Sequence, residues 1–119
     1  MFGGGKCFFL PRNTTGSCRV DDLDVFDMAH RQHGWTIGSG LSDLQKMDSL
    51  PLVNLFAFDH MSYEIDRNPE VEPSLSFMAQ KAIALLDKES RKKGTGFFLM
   101  IEGSRIDMAG HRYQLVLFF

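Results

Sequence analysis

Three side chains near the end of the chain have types and spacing that could do chemistry. They are Glu102, Asp107 and His111, all within the stretch GFFLMIEGSRIDMAGH from Gly96 to His111. If a helical turn follows the Gly103-Ser104 turn, Asp107 and His111 stand at i and i+4 and face the same way. A carboxylate and an imidazole on one turn can chelate Zn²⁺ at about 2.0–2.2 Å, while an all-oxygen environment around Glu102 would suit Mg²⁺. Zinc takes three or four ligands, and the spacing supplies only a pair. An Asp-x-x-x-His pair is also what an ordinary solvated helix face looks like, so spacing alone leaves both readings open.

The elements that must position these groups can be sketched from periodicity. FFLMIE, Phe97 to Glu102, reads as a buried strand that ends on Glu102, and open α/β sheets collect functional groups at the carboxyl ends of their strands. PLVNLFAF, Pro51 to Phe58, is a short apolar run and reads as a second strand, buried on both faces. Between them, Leu75, Met78, Ala79, Ala82, Ile83, Leu85 and Leu86 recur at helical spacing, which predicts a helix from Pro73 to about Asp87 with Pro73 in its first turn. Strand, helix and strand in that order predict an α/β fold, a partial and mainly parallel sheet with flanking helices, joined by a right-handed crossover. Upstream, VDDLDVFDMAHRQHGW predicts a helix capped by Asp21 or Asp22 and ended by Gly34, with Leu23, Phe26 and His30 on one face. SDLQKM predicts another, capped by Ser42. Asp59 to Ser74 is polar and turn-rich and reads as an exposed excursion.

With 119 residues, 44% hydrophobic and 24% charged, the chain has the composition of one globular unit. A net charge of −2 gives no footprint for a polyanion, which argues against nucleic acid as a partner. No stretch approaches the roughly 20 apolar residues of a membrane span, and MFGGGKCFFLPR lacks the basic and cleavage regions of a signal peptide. Cys7 and Cys18 flank a loop that contains Asn13-Thr14-Thr15, an N-x-[ST] acceptor pattern. Together they point to a secretory or lumenal environment. A disulfide and a pair of small buried hydrophobes both remain open for the cysteines, as do glycosylation and chance occurrence for the acceptor pattern.

The run GFFLMIEGSRIDMAGH closely resembles the metal-binding segment of alkaline phosphatases, in wording most like the fungal vacuolar branch. GGGKCFFLP, GSCRVDDLDV, HGW, LPLVNLFAFDHMSYEIDRNP and PSL follow the family's order and approximate spacing, so the resemblance covers Phe2 to His111. It implies residues 1–111 as a partial alkaline phosphatase domain, with 112–119 a non-family tail. It implies Glu102 as a magnesium ligand, and Asp107 and His111 as ligands of the first of two zinc ions. The implied mechanism is in-line phosphoryl transfer to a serine, then hydrolysis of the phosphoserine, with zinc ions clamping the attacking and leaving oxygens. A homodimer in a vacuolar or secretory-pathway lumen, acting on phosphate monoesters, is also implied.

No catalytic residue carries over, because the family's nucleophilic Asp-Ser-Ala motif and its phosphate-binding arginine belong upstream of these residues. Further metal ligands belong downstream. Asp48-Ser49-Leu50 imitates the nucleophile but precedes Pro51 and a strand rather than opening a helix. Asp59-His60 imitates a downstream metal pair, but its neighbours match a non-zinc region, so a structural or surface role is expected. His30 and His33 read as helix-surface residues. Arg105 reads as a supporting salt-bridge partner, and the Met108 thioether cannot bind phosphate as the basic residue found there in some branches can. The tail RYQLVLFF departs from the family's continuation and reads as the mark of a truncated gene model. The expectation is an inactive fragment of an alkaline phosphatase. The alternative is a non-catalytic remnant acting as a weak metal-binding or interaction module.

Overall fold

The structure, a computed structural model, describes residues 1–112. The chain divides into two compact units, Met1–Met61 and Ser62–Phe119. The expected tail lies, from residue 113 onward, outside the described residues.

The first unit is built on a three-stranded parallel sheet of strands β1 (Phe2–Gly3), β2 (Thr36–Gly38) and β3 (Leu52–Leu55) in the order β1-β3-β2. Phe2 lies opposite Asn54 on one side of β3, and Ile37 opposite Val53 on the other. All four β3 residues are buried, as a near-continuous apolar run requires when both faces of a parallel strand are covered. Helices α1 (Val25–His33) and α2 (Leu41–Lys46) complete the unit. Strand β2, helix α2 and strand β3 make the parallel crossover, and Leu44 of α2 is wholly buried with Leu52, Val53 and Leu55. Burying a leucine completely is worth about 2–3 kcal/mol, so this cluster dominates the unit's stability. Asn54 is buried among them, with its side-chain N–H donating to the Gly40 carbonyl at 3.0 Å.

The helix ends follow local chemistry, with two corrections to the sequence reading. Asp24, not Asp21 or Asp22, caps α1 by accepting from the Asp27 N–H at 2.9 Å. The reason is competition: Asp21 is engaged by Arg19 and Asp22 by Arg12, each through two hydrogen bonds. Leu23 therefore falls outside the helix, while Phe26 stacks on Phe9 with ring centroids 5.1 Å apart. Gly34 does end α1, in the left-handed conformation with φ 66° that a side chain would resist. Helix α2 begins at Leu41 behind Gly40, not behind Ser42. There Asp43 reaches back to accept from the Ser39 N–H at 3.0 Å, so the first turn is closed without a hydroxyl cap.

Cys7 and Cys18 form a disulfide with Cα atoms 5.0 Å apart. The loop it closes is further fastened by the Ser17 hydroxyl, which donates to the Leu10 carbonyl, and by Arg19, which donates to the Phe8 carbonyl. Backbone N–H groups of Gly5, Lys6 and Cys7 donate to the carbonyls of Asp59, Ala57 and Phe58. Any Cβ on Gly4 would collide with the Asp59 carbonyl, so this close backbone approach needs glycine.

In the second unit, α3 (Leu75–Lys93) is the long helix that the apolar periodicity predicts. Its cap is Ser74, whose hydroxyl accepts from the Phe77 N–H at 3.1 Å, so Pro73 precedes the helix instead of occupying its first turn. Met78 and Leu85 are buried, while Leu75 and Ile83 are exposed. Gly94 ends the helix, and Thr95 N–H donates to the Ser90 carbonyl to satisfy its last turn. The predicted strand at Phe97–Glu102 is not formed. No strand pairs with it among the described residues, and Phe97, Phe98, Met100 and Ile101 are exposed. An apolar run becomes a strand only when neighbours take up its backbone groups, and composition cannot report whether they are there. The chain instead enters helix α4 (Ser104–His111) directly.

Candidate metal centre

Asp107 and His111 lie on α4, one turn apart on the same exposed face. The Asp107 Oδ1 and His111 Nε2 atoms are 3.5 Å apart, and both side chains are about four-fifths exposed. The i, i+4 geometry expected from the sequence is thus present, because the residues from Ser104 onward are helical. Glu102 sits exposed just before the helix. Among the described residues, no three His, Cys, Asp or Glu side chains come together as a group that could hold a metal ion. The structure therefore brings Asp107 and His111 together but does not bring Glu102 into a three-donor cluster with them.

Helix α4 is a weak helix on its own terms. It has eight residues, an uncapped start at Gly103 and a glycine, Gly110, near its end. Its other face holds it. At 100° per residue, Arg105, Ala109 and Arg112 fall on the side opposite Asp107 and His111. Ala109 is buried, and the Arg105 guanidinium lies 4.3 Å from the centroid of the Tyr63 ring, with that of Arg112 at 5.9 Å. Nothing in a Tyr–Arg spacing of 42 residues signals this cation–π contact in the sequence. The Arg105 Nη1 also meets the Met108 sulfur at 3.6 Å. The Tyr63 hydroxyl is buried without a hydrogen-bond partner among the described residues, so the ring's face carries its contribution.

Asp59 offers its carbonyl to Gly5 N–H at 2.6 Å, and its carboxylate lies 4.0 Å from His60 Nε2 with both side chains half or more exposed. Asp48 and Ser49 lead through the cis Leu50–Pro51 peptide into β3, not into a helix N-terminus. His30 and His33 are on the α1 surface, and His30 Nδ1 lies 3.0 Å from the Trp35 carbonyl.

The donor set can be tested against an ion. Two ligand atoms each about 2.1 Å from a tetrahedral zinc are about 3.4 Å apart. The 3.5 Å between Asp107 Oδ1 and His111 Nε2 is close to that separation, so on distance the pair suits two corners of a zinc site.

The family model for alkaline phosphatase matches residues 1–117. An alkaline phosphatase of Schizosaccharomyces pombe is 46% identical over 114 residues, covering 93% of this chain and 21% of the relative. The repressible alkaline phosphatase of Saccharomyces cerevisiae is 36% identical over 130 residues, covering 94% and 22%. The tissue-nonspecific alkaline phosphatase of Homo sapiens is 34% identical over 130 residues, covering 93% and 24%. With its α/β architecture, the chain belongs to the alkaline phosphatase family, a family of phosphomonoesterases. It spans about a fifth of the length of these curated relatives. No helix of the described residues is long and apolar enough to cross a membrane.

Proposed function

We propose that the protein is a metal-dependent alkaline phosphatase that hydrolyses phosphate monoesters, with Asp107 and His111 as two ligands of one zinc ion and Glu102 as a magnesium ligand. The observation that carries this reading is the 3.5 Å spacing of the Asp107 and His111 donor atoms, on one helix face of a chain in this family. Zinc, when bound, supplies a Lewis acid that stabilises charge on the oxygens of a phosphoryl group in transfer. The chain's own part is positional. Helix α4 fixes the carboxylate and imidazole one turn apart, while Arg105 on Tyr63 and the buried Ala109 hold the opposite face of that helix. Ligation requires a neutral imidazole and an ionised carboxylate, so acid opposes metal binding. A homodimer in a vacuolar or secretory lumen fits the family, and the Cys7–Cys18 disulfide supports an oxidising compartment.

Little or no ester turnover is expected of these 119 residues by themselves, since Ser49, in the only Asp-Ser-Leu imitation of the nucleophile, leads into a strand. A second reading, a non-catalytic remnant that binds metal weakly, is favoured by the lack of a third donor beside Asp107 and His111 among the described residues. Assay of phosphate-ester hydrolysis with zinc and magnesium supplied separates the two. Activity is expected in a full-length polypeptide containing this segment, lost in Asp107→Ala and absent from the 119 residues alone. A full-length polypeptide with no activity would favour the remnant, and robust turnover by the short chain would contradict both.

A further inference from the structure

Asp107 and His111 make up half of a zinc coordination sphere. A closed zinc site takes four protein ligands in a tetrahedron. Among the described residues no third His, Cys, Asp or Glu joins the pair, and both side chains are about four-fifths exposed. Residues 113–119, YQLVLFF, contain none of these types. In the 119-residue chain, the other half of the sphere therefore has to come from another molecule. The helix face around the pair is open to one. At 100° per residue, Gly110 lies about 60° from Asp107 on one side of the pair, and Ser104 borders His111 on the other. Both are small and exposed, and a Cβ on Gly110 would meet nothing within 4 Å. No bulky side chain stands between the ligands and an approaching second helix.

Charge favours the same arrangement. Ligating carboxylates are ionised and ligating imidazoles neutral, so two Asp–His pairs around one Zn²⁺ leave no net charge, whereas a single pair leaves a net positive centre. We infer that one zinc ion bridges two copies of this chain, each contributing Asp107 and His111 of α4. The bridge rests on the ligand roles proposed above for these two residues and adds the source of the remaining two ligands. A symmetric pair is the simplest way to close such a site, because a two-fold axis through the ion presents the same two donors from each copy. The donor atoms already stand 3.5 Å apart on one face, so each copy brings its half of the ligand set on a single helix. Arg105 on Tyr63 and the buried Ala109 anchor the opposite face of that helix, which leaves the ligand face free for the second copy.

The test is the solution mass of the 119-residue chain, by sedimentation equilibrium at fixed chain concentration and rising zinc. The mass is expected to double, with the dimer most abundant near one zinc per two chains and receding in excess zinc, when each chain takes its own ion. Asp107→Ala and His111→Ala should stay monomeric throughout, while His60→Ala should dimerise like the parent. Gly110→Lys keeps both ligands but sets a long cationic side chain beside them. It should bind zinc by calorimetry and remain monomeric. Zinc bound at one ion per chain with no change in mass would overturn the bridge and leave the ligand roles standing. A zinc-dependent dimer that persists in both alanine variants would also overturn it, and no zinc binding at all would remove bridge and ligand roles together. Phosphatase activity of a full-length polypeptide is a separate readout, so its failure would not be mistaken for failure of the bridge.

Discussion

Replacing Tyr63 by leucine removes the ring face on which Arg105 rests while keeping most of the side chain's bulk. The size of the effect follows from the geometry. A guanidinium 4.3 Å from a ring centroid in a half-buried setting is worth about 1 kcal/mol, and the second, at 5.9 Å, close to the limit of the interaction, about 0.5 kcal/mol. Helix α4 has no side-chain cap and only eight residues, so it has little to spare. If the Asp107–His111 chelate exists only in the helical state, a loss of about 1.4 kcal/mol in helix formation appears as a roughly tenfold weaker zinc affinity. Zinc titration by calorimetry reads this directly, with helicity followed by circular dichroism. Tyr63→Phe retains the ring and is expected to stay within about twofold of the parent, by the same scale. Zinc affinity unchanged in Tyr63→Leu, or an equal loss in Tyr63→Phe, would refute the view that the cation–π stack supports the metal-binding face.

Two further outcomes concern the first unit. Reduction of the Cys7–Cys18 bond, separated by 11 residues, should lower stability by about 3 kcal/mol from loop entropy alone. Urea unfolding followed through the single tryptophan, Trp35, checks it, and an unmoved midpoint under reductant would count against the loop's contribution. In acid, the Asp21 carboxyl should titrate below the ordinary aspartate value of about 3.9. The hydrogen bonds from Arg19 are the largest cause that holds it down. The folded-state value is depressed, so the stabilisation is present above the unfolded value and lost as pH falls through the folded one. Carbon-detected NMR of the Asp21 carboxyl gives the midpoint, and a value at or above the ordinary one would show that the Arg19 clasp is not formed.

The most legible parts of the fold were those whose signals are local and repeated. Helix α3 showed itself through a three- and four-residue apolar spacing, and β3 through a near-continuous apolar run, interrupted at Asn54, of the kind buried on both faces. Strands β1 and β2, with two and three residues, are too short to show any period, and they exist because β3 takes up their backbone groups. Asp21 and Asp22 looked like caps because type and position allow it, but their arginine partners lie at positions that no capping pattern encodes. Phe97–Glu102 misled for the opposite reason, since a strongly apolar run still needs neighbours to become a strand. At the candidate site, the Asp107–His111 pairing was legible from helical spacing, whereas the Tyr63 support depends on a contact far away in sequence.

The metal-centre proposal requires that Asp107 and His111 share one zinc ion. Calorimetric titration of zinc into the chain, its Asp107→Ala variant and its His111→Ala variant decides this most directly. Each substitution is predicted to weaken binding by at least about tenfold, the scale on which even supporting residues of a zinc site act. Equal affinity in all three proteins would contradict the assignment.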